Sequence, residues 1–145
     1  MLLIIFWVMT LCCCLHAACV GGPTGRLGAG LIVFKTIAEF YLALMDQSWA
    51  HTLYPILVLD TACLLAFLLL ALRNDRHWPL WVSGCALAAV AVHLASILEI
   101  DIDPKIYQGL KGIWAILMQL FMTRGIVLDA RYQRSSGHMA VKAML

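Results

Sequence analysis

The chain has 145 residues, of which 63% are hydrophobic and 12% charged, with a formal net charge of +2. An ordinary soluble domain carries about 25% charged residues and much less apolar weight. The composition excludes a soluble monomer, and so small a net charge gives no basis for binding nucleic acid.

Apolar runs long enough to cross ~30 Å of hydrocarbon at ~1.5 Å per residue recur along the chain. They predict an all-α transmembrane bundle of five spans, at about 2–20, 27–45, 53–72, 79–98 and 106–123, followed by a basic tail over 124–145. If the second run lies flat on the surface, four spans remain. The joining loops are short, so no extramembrane domain is left to house a separate activity.

The first run, LLIIFWVMTLCCCLHAAC, has no basic residues ahead of it, and His16 stands where a lipoprotein signal would place an aliphatic residue. It therefore reads as a retained first helix. Within it Cys12, His16 and Cys19 fall at i, i+4 and i+7 on one face, and thiolate and imidazole are zinc or copper ligands. No fourth ligand is evident. The competing reading is a histidine bonded to a neighbouring helix beside cysteines acting as small hydrophobes. All six cysteines fall within predicted spans, so a disulfide framework is not indicated.

The second run, LIVFKTIAEFYLALMD, carries Lys35 and Glu39 near its centre. On a helical wheel Gly28, Lys35, Glu39 and Asp46 form one narrow line on an otherwise apolar cylinder, whereas an interfacial helix needs a broad polar face. Each charge costs about 2.5 to 3.5 kcal/mol to insert, and each Leu, Ile, Val or Phe returns roughly 0.3 to 0.6. The sums nearly cancel. Paired at i and i+4, the two charges are cheaper to bury, so the helix is expected to span with both side chains turned into the bundle.

Asp60 lies in the third run and His93 in the fourth. Between these runs RNDRHWPLW is a basic turn: Arg73 and Arg76 read as anchors, Pro79 starts the next helix, and Trp78 and Trp81 suit an aromatic belt. In the fourth run Gly84, Ala88, Ala91 and Ala95 make one stripe of small residues, while Ala86, Ala89 and His93 make another nearly opposite. Small residues allow close helix approach in lipid, so this helix is expected to pack on both sides. EIDIDPK then reads as a solvated acidic turn, the fifth run holds Lys111, and Arg124, Arg131 and Arg134 continue the basic anchoring into the tail.

With five spans Arg26, Arg73, Arg76, Arg124, Arg131, Arg134 and Lys142 fall on one side and Lys105 on the other, where Asp46, Glu99, Asp101 and Asp103 also gather. This bias predicts an outside N-terminus and a cytoplasmic C-terminus. Counted from the outer helix ends, Glu39, Asp60, His93 and Lys111 share one level, roughly 8 to 11 Å deep. With Lys35 they form an intramembrane polar cluster. Such residues are costly in lipid and face inward. The cluster is either a structural network, with Asp60 and Glu39 neutralising Lys111 and Lys35 and His93 bonding across helices, or a relay or pocket for protons, ions, a headgroup or a quinone. A bis-histidine haem needs two histidines at matching depth, which His16, His51, His77 and His93 do not supply.

Leu59-Asp60, Ala71-Leu72-Arg73, Arg76, Trp78-Pro79-Leu80-Trp81, His93 and Asp103-Pro104 make the chain resemble a group of small multi-spanning inner-membrane proteins of alphaproteobacteria over roughly residues 50 to 123. The resemblance implies a bacterial inner membrane and a compact bundle, and brings no catalytic residue with it. No Gly-rich phosphate loop, HExxH or nucleophile elbow is present. The sequence therefore predicts a non-enzymatic accessory or assembly subunit of a larger membrane complex, with lipids and other transmembrane subunits or its own copies as partners and no cofactor. The alternatives are a small oligomeric transporter or proton- or ion-conducting protein working through Glu39, Asp60, His93 and Lys111, and a quinone- or haem-binding redox subunit.

Overall fold

The computed structural model describes residues 2–45, 54–98 and 104–143, with side chains over 4–44, 54–98 and 106–133. These residues form five α-helices and no strand: α1 Leu2–Val20, α2 Gly22–Met45, α3 Tyr54–Arg73, α4 Trp78–Ile97 and α5 Pro104–Ala143. Each helix packs on its sequence neighbours in alternating direction, and α5 returns to α1, closing a ring in which this last pair runs parallel. The start of α1, the end of α2, the start of α3, the end of α4 and the start of α5 share one end, called here the N-terminal end. The α1–α2 and α3–α4 connections share the other, the turn end.

Four helices are long and apolar enough to cross a membrane: Gly22–Leu44, Tyr54–Arg73, Trp78–Ile97 and Ile106–Gln133. The apolar part of α1, Ile4–Val20, is slightly shorter. Large hydrophobic side chains cover the outside of the ring, among them Ile4, Leu11, Phe34, Val58, Leu72 and Leu87, each more than half exposed. This is the surface expected of helices solvated by lipid tails, where burial of apolar groups in the protein core brings no special advantage.

The α1–α2 connection is tighter than the sequence predicts. Gly21 alone lies between the helices, and α2 starts at Gly22 rather than near residue 27. Gly22 has φ +62°, a conformation costly for a residue with a Cβ. Pro23 follows in the first turn, where its missing N–H is no loss. Further along the hairpin, Trp7 meets Phe40 edge to face at 5.8 Å between ring centroids.

The turn-end half of the core is apolar, with Ala17, Phe67, Val82, Met122 and Ile126 all almost fully buried. Its keystone is Trp78, which is 2% exposed. Its indole lies against Gly28 of α2 and Gly125 of α5 and meets Phe67 edge to face. A Cβ at Gly28 would sit 2.7 Å from Trp78 Cη2, and one at Gly125 would overlap Trp78 Cβ. Both glycines are the wall of the slot that receives the ring. The aromatic-belt reading of Trp78 is thus replaced by a core position, while Trp81 points outward and stacks on Phe121.

Only one of the two small-residue stripes on α4 is buried. Ala86, Ala89 and His93 face the core; Gly84 and Ala91 are exposed, and Ala88 and Ala95 half-buried. In a ring, α4 has α3 on one flank and α5 on the other, so its outer face has no helix left to meet. The tail also differs from expectation. The helix that carries the fifth apolar run does not end near residue 123 but continues to Ala143. Continuing the helix satisfies backbone groups that a coil would leave to water, and no proline interrupts it.

Candidate functional site: an ion-paired polar layer

The cost of ionisable side chains at membrane depth falls when they meet one another, and the ring brings them together near its N-terminal end. Lys35, one turn ahead of Glu39 on α2, reaches Glu39 Oε1 at 2.7 Å. The same Nζ lies 2.8 Å from Asp60 Oδ1 on α3. Asp60 Oδ2 meets His93 Nε2 of α4 at 2.8 Å, and His93 Nδ1 meets the Tyr107 hydroxyl of α5 at 2.7 Å. The result is an unbroken chain, Glu39–Lys35–Asp60–His93–Tyr107, through four helices.

The chain is deeply enclosed. Asp60 is 1% exposed, His93 0% and Lys35 8%. Both ring nitrogens of His93 have a partner, Nε2 the Asp60 carboxylate and Nδ1 the Tyr107 hydroxyl, and an Nε2–H that donates to Asp60 suits the carboxylate as an acceptor. The His93 and Tyr107 rings also meet edge to face, at 79° and 5.6 Å between centroids. Lys111 stands beside this chain with its Nζ 5.8 Å from the Tyr107 ring centroid. The layer thus brings two lysines together with two acidic side chains.

The predicted cluster Lys35, Glu39, Asp60, His93 and Lys111 is therefore one assembly, with its partners redistributed. Lys35 takes both carboxylates. Lys111 has no carboxylate within 4 Å among the described residues and uses the face of an aromatic ring instead. Tyr107, which completes the layer, was not anticipated; its signal in the sequence is its place one helical turn before Lys111, on the same face.

A second polar contact lies deeper. Gln119 of α5 donates from Nε2 to Thr10 Oγ1 of α1 at 2.8 Å, and Thr10 donates to the Phe6 carbonyl. Between this pair and the polar layer is a cleft walled by α2 and α5, lined by Lys35, Thr36, Glu39, Met118 and Gln119 among others.

The other predicted sites fare differently. Cys12 and Cys19 are exposed on α1 and His16 is half-buried, and no three His, Cys, Asp or Glu side chains among the described residues are placed to hold a metal ion. Cys12 and Cys19 thus look out of the ring, whereas the Nε2 of His16 is buried. Of the basic anchors, Arg73, Arg124 and Arg131 are exposed, and the side chain of Arg134 is outside the described residues. Arg76 turns inward instead, donating to the Gly21 carbonyl at 3.2 Å and lying 3.5 Å from Asp129. Thr24 donates to Asn74 Oδ1 at 3.0 Å alongside it. The two turns and α5 are thereby fastened together, and Arg76 acts as a tie between helices where an anchor to the membrane surface was expected. Asp46, His51, Glu99, Asp101 and Asp103 are outside the described residues.

No protein-family model, curated protein or solved structure matches this chain.

Proposed function

We propose that this chain is a non-enzymatic accessory or assembly subunit of a larger complex in a bacterial inner membrane, oriented with its N-terminus outside and its C-terminus in the cytoplasm. The observation that supports this reading is the closure of the polar layer. Lys35, Asp60 and His93 bond to one another, and beyond the Gln119–Thr10 pair the described core toward the turn end is dominated by apolar side chains such as Phe67, Val82, Met122 and Ile126. Among the described residues the hydrogen bonds and ion pairs of the layer do not continue to the turn end, which supports reading the layer as a fastener between helices. What the molecule offers to others is its outer surface, including the outward stripe of Gly84, Ala88, Ala91 and Ala95, a composition that suits close packing with another helix. The bias of basic residues supports the orientation, and the resemblance to small alphaproteobacterial inner-membrane proteins supports the compartment.

Purification from native membranes in a mild detergent is the test. The expected result is co-purification with other transmembrane polypeptides at fixed stoichiometry through a size separation. Recovery alone as a defined homo-oligomer overturns the subunit reading.

A second reading, a small oligomeric proton-conducting protein, draws support from the same chain of exchangeable protons from Glu39 to Tyr107. It predicts that liposomes holding the purified protein dissipate a pH gradient and that Asp60→Asn abolishes the flux. The apolar turn-end core leads us to expect the opposite result, a leak equal to that of empty liposomes for both proteins.

A further inference from the structure

We infer that the cleft between α2 and α5 is a hydration site that binds a single water, joining Gln119 to Glu39. The inference starts from an unmet bond. Gln119 is 1% exposed, its Nε2 is spent on Thr10, and its Oε1 has no partner. A buried amide oxygen left without a hydrogen bond costs about 1 to 3 kcal/mol. Thr10 cannot supply the missing proton, because its hydroxyl donates to the Phe6 carbonyl at 2.8 Å. Thr36, on the facing wall, has likewise given its proton to the Ile32 carbonyl at 2.8 Å.

The chemistry of the lining then selects the occupant. Lys35 has spent donors on Asp60 and Glu39, and Glu39 takes Lys35 through one oxygen. The residues that line the cleft carry more acceptor capacity than free protons: Gln119 Oε1 lacks a donor, Glu39 has a second carboxylate oxygen and Thr36 Oγ1 has lone pairs, against one remaining N–H of Lys35. An occupant must bring protons to them. A metal ion would stand beside the Lys35 ammonium with one carboxylate to hold it, which is unfavourable. Size narrows the choice further. The region open to the centre of a water-sized sphere is about 10 Å³, close to the minimum for one water.

A water here donates to Gln119 Oε1 and to Glu39. It extends the polar chain from Tyr107 through His93, Asp60, Lys35 and Glu39 to Gln119 and Thr10, so that the thread touches all five helices. The site depends on the cleft alone and stands whether or not the chain is a subunit of a larger complex.

Hydroxyl-radical footprinting by X-ray radiolysis tests it, because radicals generated from a bound water oxidise the side chains beside it even where bulk solvent does not reach. The full chain in lipid nanodiscs carries its own control. Met118 lines the cleft and Met122 lies one turn away in the apolar core, with exposures of 3% and 0%. The expected result is sulfoxide formation at Met118 at least about tenfold faster than at Met122, as befits one buried water and one dry site. Gln119→Leu should bring Met118 down to the rate of Met122. Equal rates at the two methionines in the unaltered protein overturn the inference without reference to any variant, and a fast Met118 that Gln119→Leu leaves unchanged overturns the role of Gln119.

Discussion

Replacing Asp60 by alanine is expected to lower the unfolding free energy by about 3 to 5 kcal/mol, the usual cost of removing one partner from a buried ion pair. Asp60 is the middle of the chain and joins its two halves: its carboxylate lies 2.8 Å from both Lys35 Nζ and His93 Nε2. Without it Lys35 keeps only Glu39, which is partly exposed, and the fully buried His93 loses its acceptor. Denaturant titration in mixed lipid–detergent micelles measures the loss. Asp60→Asn should cost less, since the amide oxygen still accepts from His93. The informative partner is Asp60→Ala combined with Lys35→Met. Removing both charges takes away the uncompensated ammonium, so the double variant should be more stable than Asp60→Ala alone. A loss below about 1 kcal/mol for Asp60→Ala would mean that the pair is solvated rather than enclosed.

The Trp78 slot should give an effect of similar size with a different signature. Trp78→Ala empties a site that three helices share, and is expected to cost about 3 to 5 kcal/mol. Approached from the other side, Gly125→Ala should also destabilise, by about 1 to 3 kcal/mol or more, because the added methyl meets the Cβ of Trp78, which cannot swing aside as a side-chain tip can. Gly84→Ala is the reference: nothing lies within 4 Å of its added Cβ, and in a helix the change should stabilise by up to about 1 kcal/mol. Opposite signs for two chemically identical substitutions, read in the same micelle titration, are the result to look for. A stabilising Gly125→Ala would show that α4 and α5 do not approach as closely as described.

Much of this arrangement is written in local spacing, and the rest is not. The helices follow from runs of Leu, Ile, Val and Phe whose length matches a bilayer, and the common depth of Glu39, Asp60 and His93 follows from counting residues inward from the ends. The pair Lys35–Glu39 was legible because i and i+4 share a face whatever the helix does. The pair Lys35–Asp60 was not, since it depends on how α2 and α3 are rotated about their own axes. The same limit explains Lys111, whose neighbour turned out to be Tyr107 rather than a carboxylate, and Arg76, whose partners Gly21 and Asp129 lie on distant segments. The Ala86–Ala89–His93 stripe and the Gly84–Ala88–Ala91–Ala95 stripe look alike in sequence, and only the ring decides which one is inside. Gly125 fell in the expected tail and carried no signal until Trp78 was placed against it.

The length of α5 has a mechanical consequence. A helix of 40 residues extends about 60 Å, roughly twice the thickness of the hydrocarbon slab. Tyr107 sits near one end of this rod, Gln119 and Gly125 along its middle, and some 20 Å of helical backbone runs on past Asp129 at the turn end. The arm, the wall of the Trp78 slot and the hydroxyl that caps His93 are therefore parts of one helix, so whatever engages the arm grips the same element that closes the core and the polar layer.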